Sequence, residues 1–182
     1  LPMTMTGTLT DAKSTKRVFE TASFFTATAM PGALHRFGKG FKAAAKVRLM
    51  HSMVRYNIMH SGQWDTSVYG IPIPQVDQMP AGLIGVFLLA FELLAKGQTQ
   101  FSPAQRARVE LSRYRCFLLG LPRELLGETP QEIVDLMTAR TLSIREAFDD
   151  AICGELVRGT MQAQLFTDPS LRGRVHRWME AG

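Results

Sequence analysis

The sequence predicts an all-α fold. Three observations carry that prediction. Apolar residues recur at three- and four-residue spacing in segment after segment, helix start and stop signals bracket those segments, and no stretch alternates with the period of two that a strand needs. With 182 residues, 46% of them hydrophobic, the chain is long enough to bury a sizeable core. We expect a helical bundle of about six to eight helices with one long irregular loop at about 61–80. Residues 1–10 are rich in Thr and read as a flexible N-terminal segment, ahead of a single helical domain over 11–182.

Asp11 is placed to cap a first helix over about 12–30, with Val18, Ala22 and Phe25 on one face and Phe19 and Phe24 widening it. Pro31-Gly32 stops that helix. Ala33 to Lys39 links it to a long second helix over about 40–60, ended by Ser61-Gly62. The irregular stretch follows, and Ile71 and Ile73, each preceding a proline, are expected to be extended. From about Pro80 to Lys96 the chain is apolar nearly all round and reads as the central buried helix of the bundle. Glu92 and its length argue against a membrane span. Ser102-Pro103 with Gln105 opens the next helix as a capping box, and Gly120 closes it. Thr129-Pro130-Gln131-Glu132 repeats the signal for a helix through about Arg140 that buries Ile133, Leu136 and Met137. Ser143 with Glu146 starts another over 144–161, and Asp168-Pro169 a last one containing His176 and Trp178.

The net charge of +5 permits an anionic partner without demanding one. Arg106, Arg108, Arg113 and Arg115 read as a solvated helix face, and with no nucleic-acid motif beside them no nucleic-acid partner is expected. Cys116 and Cys153 form no Cys-x-x-Cys pair and read as buried thiols of a reducing compartment, which points to the cytoplasm. The chain opens on Leu1 without a signal pattern, so the natural start, and any targeting segment with it, is expected to lie upstream.

Several chemistries lack their motif here. There is no His-Glu-x-x-His, no Glu-x-x-His pair of the di-iron kind, no P-loop, no Gly-x-Gly-x-x-Gly and no Gly-x-Ser-x-Gly elbow. What stands out is Arg48-Leu-Met-His51-Ser-Met-Val-Arg55 in the second helix. At roughly 100° per residue, His51 shares a sector with Ala44, Val47, Val54 and Ile58, and Arg48 and Arg55 lie along one flank. Two readings fit. One is a core histidine bonded to a backbone carbonyl, with arginines reaching water. The other is haem, which takes an axial nitrogen, apolar walls and cations for its propionates. His60 lies about half a turn away from His51, so the two cannot ligate one metal as a pair. On the first helix Arg17 and Thr21, four apart, place a guanidinium and a hydroxyl on one side.

Arg48-x-x-His51-x-x-x-Arg55, followed by Trp64-Asp65 and Gly70-Ile-Pro-Ile-Pro-Gln75-Val-Asp77, resembles the signature region of the latex clearing protein (rubber oxygenase) and mycophenolate-pathway oxygenase family. The resemblance covers roughly residues 15–165. It implies a globin-like helical core that binds haem b, with His51 as the proximal iron ligand and Arg48 and Arg55 as the arginines that hold the haem. Arg17 and Thr21 match the distal arginine and threonine that such proteins carry about thirty residues upstream. Three departures narrow the expectation, the first being that only Leu1 and its neighbours stand where the proposed acidic base of rubber oxygenases lies. Glu20 stands where rubber oxygenases have a lysine, and Pro74 where the family's loop has an asparagine. The implied activity is thus oxidative cleavage of a carbon–carbon double bond in a small apolar, isoprenoid-like alkene, with dioxygen as co-substrate, in preference to polymeric rubber. The alternative reading is a non-catalytic helical module that binds haem or an apolar ligand.

Overall fold

The structure is a computed structural model that describes residues 11–73, 78–142 and 154. Every regular element among the described residues is helical, in agreement with the period of the sequence. The chain divides into two compact units, Leu1–Thr26 with Glu146–Gly182, and Ala27–Arg145. The helices expected over 144–161 and from Asp168, together with Cys153, His176 and Trp178, lie outside the described residues, as do residues 1–10.

Helix α1 spans Asp11–Ala29. Val18, Phe24 and Phe25 are half-buried, whereas Ala22 and Phe19, both expected on the same apolar face, are exposed. The Phe24 and Phe25 rings meet edge to face with centroids 5.4 Å apart. Past α1 the backbone folds through Pro31-Gly32 in successive turns, with the Phe41 N–H donating to the Ala33 carbonyl at 3.0 Å. This turn seats the start of α2, Lys39–Met59. A Cβ on Gly40 would lie 2.9 Å from the Ala27 carbonyl oxygen and 3.1 Å from Thr28 Cα, so only glycine fits at this crossing.

A single turn, α3 (Thr66–Tyr69), interrupts the irregular stretch, and α4 (Gln78–Ala95) begins two residues before Pro80. Proline is tolerated there because the first N–H groups of a helix have no intrahelical partner. Helix α5 spans Pro103–Leu118 and α6 spans Pro130–Leu142. Both capping boxes form. Ser102 N–H donates to Gln105 Oε1 at 2.8 Å and Gln105 N–H to Ser102 Oγ at 3.4 Å. Glu132 N–H donates to Thr129 Oγ1 at 3.2 Å, and the Glu132 carboxylate accepts from the Glu128 and Thr129 N–H groups at 2.7 and 3.3 Å. At the far end of α5, Gly120 turns to φ 101°, which lets Leu121 N–H bond back to the Cys116 carbonyl at 3.0 Å.

The core lies where α4 packs against α5 and α6, with α2 set against α5. Val86 and Ala90 of α4 meet Val109 and Ile133, and a second cluster joins Cys116, Leu121, Leu126 and Met137. Leu136, as expected, is packed against that cluster. Helix α4 differs from the expected centrally buried helix. Val86, Ala90 and Leu93 form its buried stripe, whereas Leu88 and Phe91 are 57% and 56% exposed, because α5 and α6 both meet the same side of it.

The arginine cluster also differs from a solvated face. Arg108 is exposed, but Arg113 is bonded to Glu110 at 2.8 Å, to Glu128 at 2.7 Å and to the Leu126 carbonyl at 3.2 Å. Arg106 donates to the Glu128 carbonyl at 2.6 Å. Arg115 turns inward and is only 8% exposed. Its Nε donates to Thr28 Oγ1 at 2.9 Å, tying α5 to the last turn of α1.

Candidate functional site

The candidate site is built on α2. Gly40, Ala44 and Ile58 are buried and Val47, His51, Val54 and Arg55 half-buried, whereas residues on the far side, such as Leu49, Met53 and Tyr56, are exposed. The sector predicted for His51 is therefore the inward one. The imidazole stands between Val47 and Val54, each one turn away, on an apolar stripe closed at its ends by Ala44 and Ile58. Arg48, one turn earlier, is exposed, and its carbonyl accepts from the Ser52 hydroxyl at 3.0 Å.

Arg55 makes contacts that the sequence did not indicate. Its Nε donates to the Pro72 carbonyl at 3.1 Å, and its Nη2 donates to the Ile73 carbonyl. Pro72 is buried. Ile73 adopts φ +48° instead of the extended conformation expected before Pro74. A β-branched residue is disfavoured in that left-handed region, and a charge-assisted bond to its carbonyl offsets part of the cost. Earlier in the same ribbon, Trp64 Nε1 donates to the Gly70 carbonyl at 2.8 Å. Asp65 caps α3 by accepting from Ser67 N–H at 2.8 Å. The Gly70–Ile73 ribbon is thus fixed to the helix that carries His51. Residues 74–77, including Pro74 and Gln75, lie outside the described residues.

His60 ends α2, where its Nδ1 donates to the Tyr56 carbonyl at 2.8 Å and its ring stacks on Tyr56 with centroids 4.1 Å apart. It plays a capping part, on the side of the helix away from His51. Arg17 and Thr21 both lie on α1, in the unit that ends at Thr26. Thr21 is exposed, and the Arg17 side chain is not among those described. Glu20 pairs with Lys16 at 3.9 Å on the exposed side of that helix.

Behind α2, burial pulls the Arg115 guanidinium below its ordinary value, with Cys116 acting in the opposite direction. Burial pushes the Cys116 thiol up to about 12, opposed by Arg115. Cys116 is consequently a protonated core thiol, not a nucleophile. A polar depression lined by Gln98, Thr99, Gln100, Ser102 and Gln105 marks the α4–α5 connection. None of its residues is on α2, and it lacks the apolar wall of a haem or alkene site.

Among the described residues no three His, Cys, Asp or Glu side chains converge as a metal site. A haem iron needs only one axial side chain on a face, and His51 supplies that donor type on an apolar stripe with a cation one turn away. Fold and site together define an all-α protein in which His51 is the one half-buried imidazole among the described residues. The chain belongs to the family described as the ER-bound oxygenase mpaB/B'/rubber oxygenase catalytic domain, which it matches over residues 1–182. It is an oxygenase catalytic domain of that family, whose known oxygenases are haem-dependent. Comparison with curated proteins and with solved structures gives no match.

Proposed function

We propose that this domain is a haem b-dependent oxygenase that cleaves the double bond of a small apolar alkene, with isoprenoids as the leading class. The observation that carries the reading is the half-buried His51 on the inward apolar stripe of α2, in a chain that matches the oxygenase family throughout. The donor chemistry fits the cofactor. His51 offers a ring nitrogen to iron, Ala44, Val47, Val54 and Ile58 exclude water beside it, and the exposed Arg48 guanidinium is available to a propionate. Arg55 has five N–H donors and spends two on the ribbon carbonyls, so its contribution to a propionate would come from the remainder. Haem, when bound, supplies the iron at which dioxygen is activated.

The remaining roles fall to α1. Arg17 and Thr21 are the donors assigned to the oxygen, where a guanidinium and a hydroxyl stabilise developing negative charge. Phe19, Phe24 and Phe25 are the aromatic surface assigned to an apolar substrate. In the reaction one double bond is broken and each of its carbons receives one atom of a single dioxygen molecule. Two carbonyl products account for all the atoms.

The test is an absorption spectrum of the purified protein, as isolated and after haem addition, beside His51→Ala. A Soret band that requires His51, followed by oxygen uptake with isoprenoid alkenes, is the expected result. Folded wild-type protein that takes up no haem, or takes it up equally without His51, overturns the assignment.

A further inference from the structure

From Thr21 to Trp64 the chain contains no Asp or Glu and carries six cations, Arg36, Lys39, Lys42, Lys46, Arg48 and Arg55, which leaves the rest of the chain one charge negative. Within α2 the cations are sorted by face. Arg55 turns inward to the Pro72 and Ile73 carbonyls, whereas Lys42 and Lys46 are exposed on the side opposite His51. They continue along the helix into Leu49, Met53 and Tyr56, at the three- and four-residue spacing that keeps one line on a helix surface. These three side chains are 62%, 57% and 63% exposed. Just before the helix, Phe37 is 62% exposed with the Arg36 guanidinium 4.8 Å above its ring. Apolar side chains in water beside lysines, on a face that carries no acid, require explanation, because α2 already has its core on the opposite side.

We propose that the outer face of α2 docks on an anionic lipid surface. Leu49, Met53 and Tyr56 enter the interfacial region, and Arg36, Lys39, Lys42 and Lys46 meet lipid phosphates and carboxylates. A helix of 21 residues presents a straight face about 30 Å long, which suits a plane. No helix among the described residues is long and apolar enough to cross a membrane, and the proposed contact uses one face of α2 only. A second copy of the chain is disfavoured on this face, since it would bring like charges together with no acid to offset them. Nucleic acid would use the lysines but leave Leu49 and Met53 without a partner. The proposal does not depend on the haem assignment, although a lipid surface is also where apolar alkenes concentrate.

The experiment is co-sedimentation of the full chain with phosphatidylcholine vesicles, neutral or containing about a third phosphatidylserine, at low and physiological salt. Binding to the anionic vesicles that weakens with salt is expected. Lys42→Glu with Lys46→Glu should reduce it about tenfold or more. Leu49→Ser with Met53→Ser should leave the salt-sensitive part and lose the part that persists at physiological salt. Lys96→Glu, just past the end of α4, is the charge control and should bind within about twofold of wild type, as expected of an exposed lysine that is not on α2. Circular dichroism establishes that each variant is folded. Equal binding to both vesicles, an equal loss in Lys96→Glu, or no vesicle binding with an α2-dependent dimer, RNA complex or acidic-protein complex instead, overturns the proposal.

Discussion

Arg55, one turn beyond His51 on α2, holds the carbonyl of Ile73, a β-branched residue at φ +48°. The ribbon and the candidate ligand helix are therefore one mechanical piece. Arg55→Lys keeps the charge but loses the planar fork that reaches two consecutive carbonyls. We expect faster protease cleavage or amide exchange around Ile71–Ile73 and a stability loss of about 1–3 kcal/mol by urea unfolding. Unchanged protection of the ribbon would show that Arg55 does not hold it.

The buried pair Arg115 and Thr28 invites a comparison of two variants. Thr28→Val removes an acceptor from a cation that is 8% exposed, and should cost about 1–3 kcal/mol. Arg115→Met removes the charge together with its need for that acceptor and should cost less than Thr28→Val. Denaturant midpoints for the two variants decide it, and a larger loss in Arg115→Met would contradict the account.

Cys116 predicts an alkaline dependence. Its folded value is raised by burial to about 12 from an ordinary 9.0, so the folded state holds the proton more tightly than the unfolded chain. The stability this contributes is complete below pH 9.0 and is lost as pH rises towards about 12, with a slope of at most about 1.4 kcal/mol per pH unit. Cys116→Ala should flatten that slope at some cost from the cavity. In the native protein the thiol should also resist alkylation at mildly alkaline pH and react on unfolding.

Glu132 predicts the opposite sign in acid. Its carboxyl lies below the usual range because it accepts the Glu128 and Thr129 N–H groups. Its contribution is present at neutral pH and is lost on acidification through that lowered value. Glu132→Gln should remove this acid dependence while keeping an acceptor at the start of α6. Thr129→Ala, which removes the other half of the box, should cost about 1 kcal/mol at neutral pH.

Arg17→Ala and Thr21→Ala separate catalysis from cofactor binding. If both act on oxygen, each variant should retain the Soret band of the loaded protein and lose oxygen uptake by a factor of about a hundred or more. Loss of the Soret band would assign these residues to haem retention instead.

What was legible in the sequence was what local chemistry decides. Ser102 with Gln105 and Thr129 with Glu132 marked two helix starts because each cap is completed within four residues. His51 was correctly assigned to the inward stripe because Ala44, Val47, Val54 and Ile58 share its azimuth. The contacts that escaped join residues far apart in sequence. Arg115 looked like one more surface cation until Thr28 met it. Arg55 gave no sign that its donors go to a ribbon beyond α3. The exposure of Leu88 and Phe91 was equally hidden, since composition shows that a helix is apolar but not how many sides of it are covered.

The close crossing at Gly40 has a consequence for the whole of α2. A helix is a screw, and once one residue is seated the bearing of every later residue is set. Gly40 and His51 are about three turns apart and point in nearly the same direction. The fit of Gly40 against the Ala27 carbonyl and Thr28 Cα therefore sets the phase at which the imidazole emerges, much as a keyway times a shaft. A methyl group at position 40 would mistime His51 without touching it.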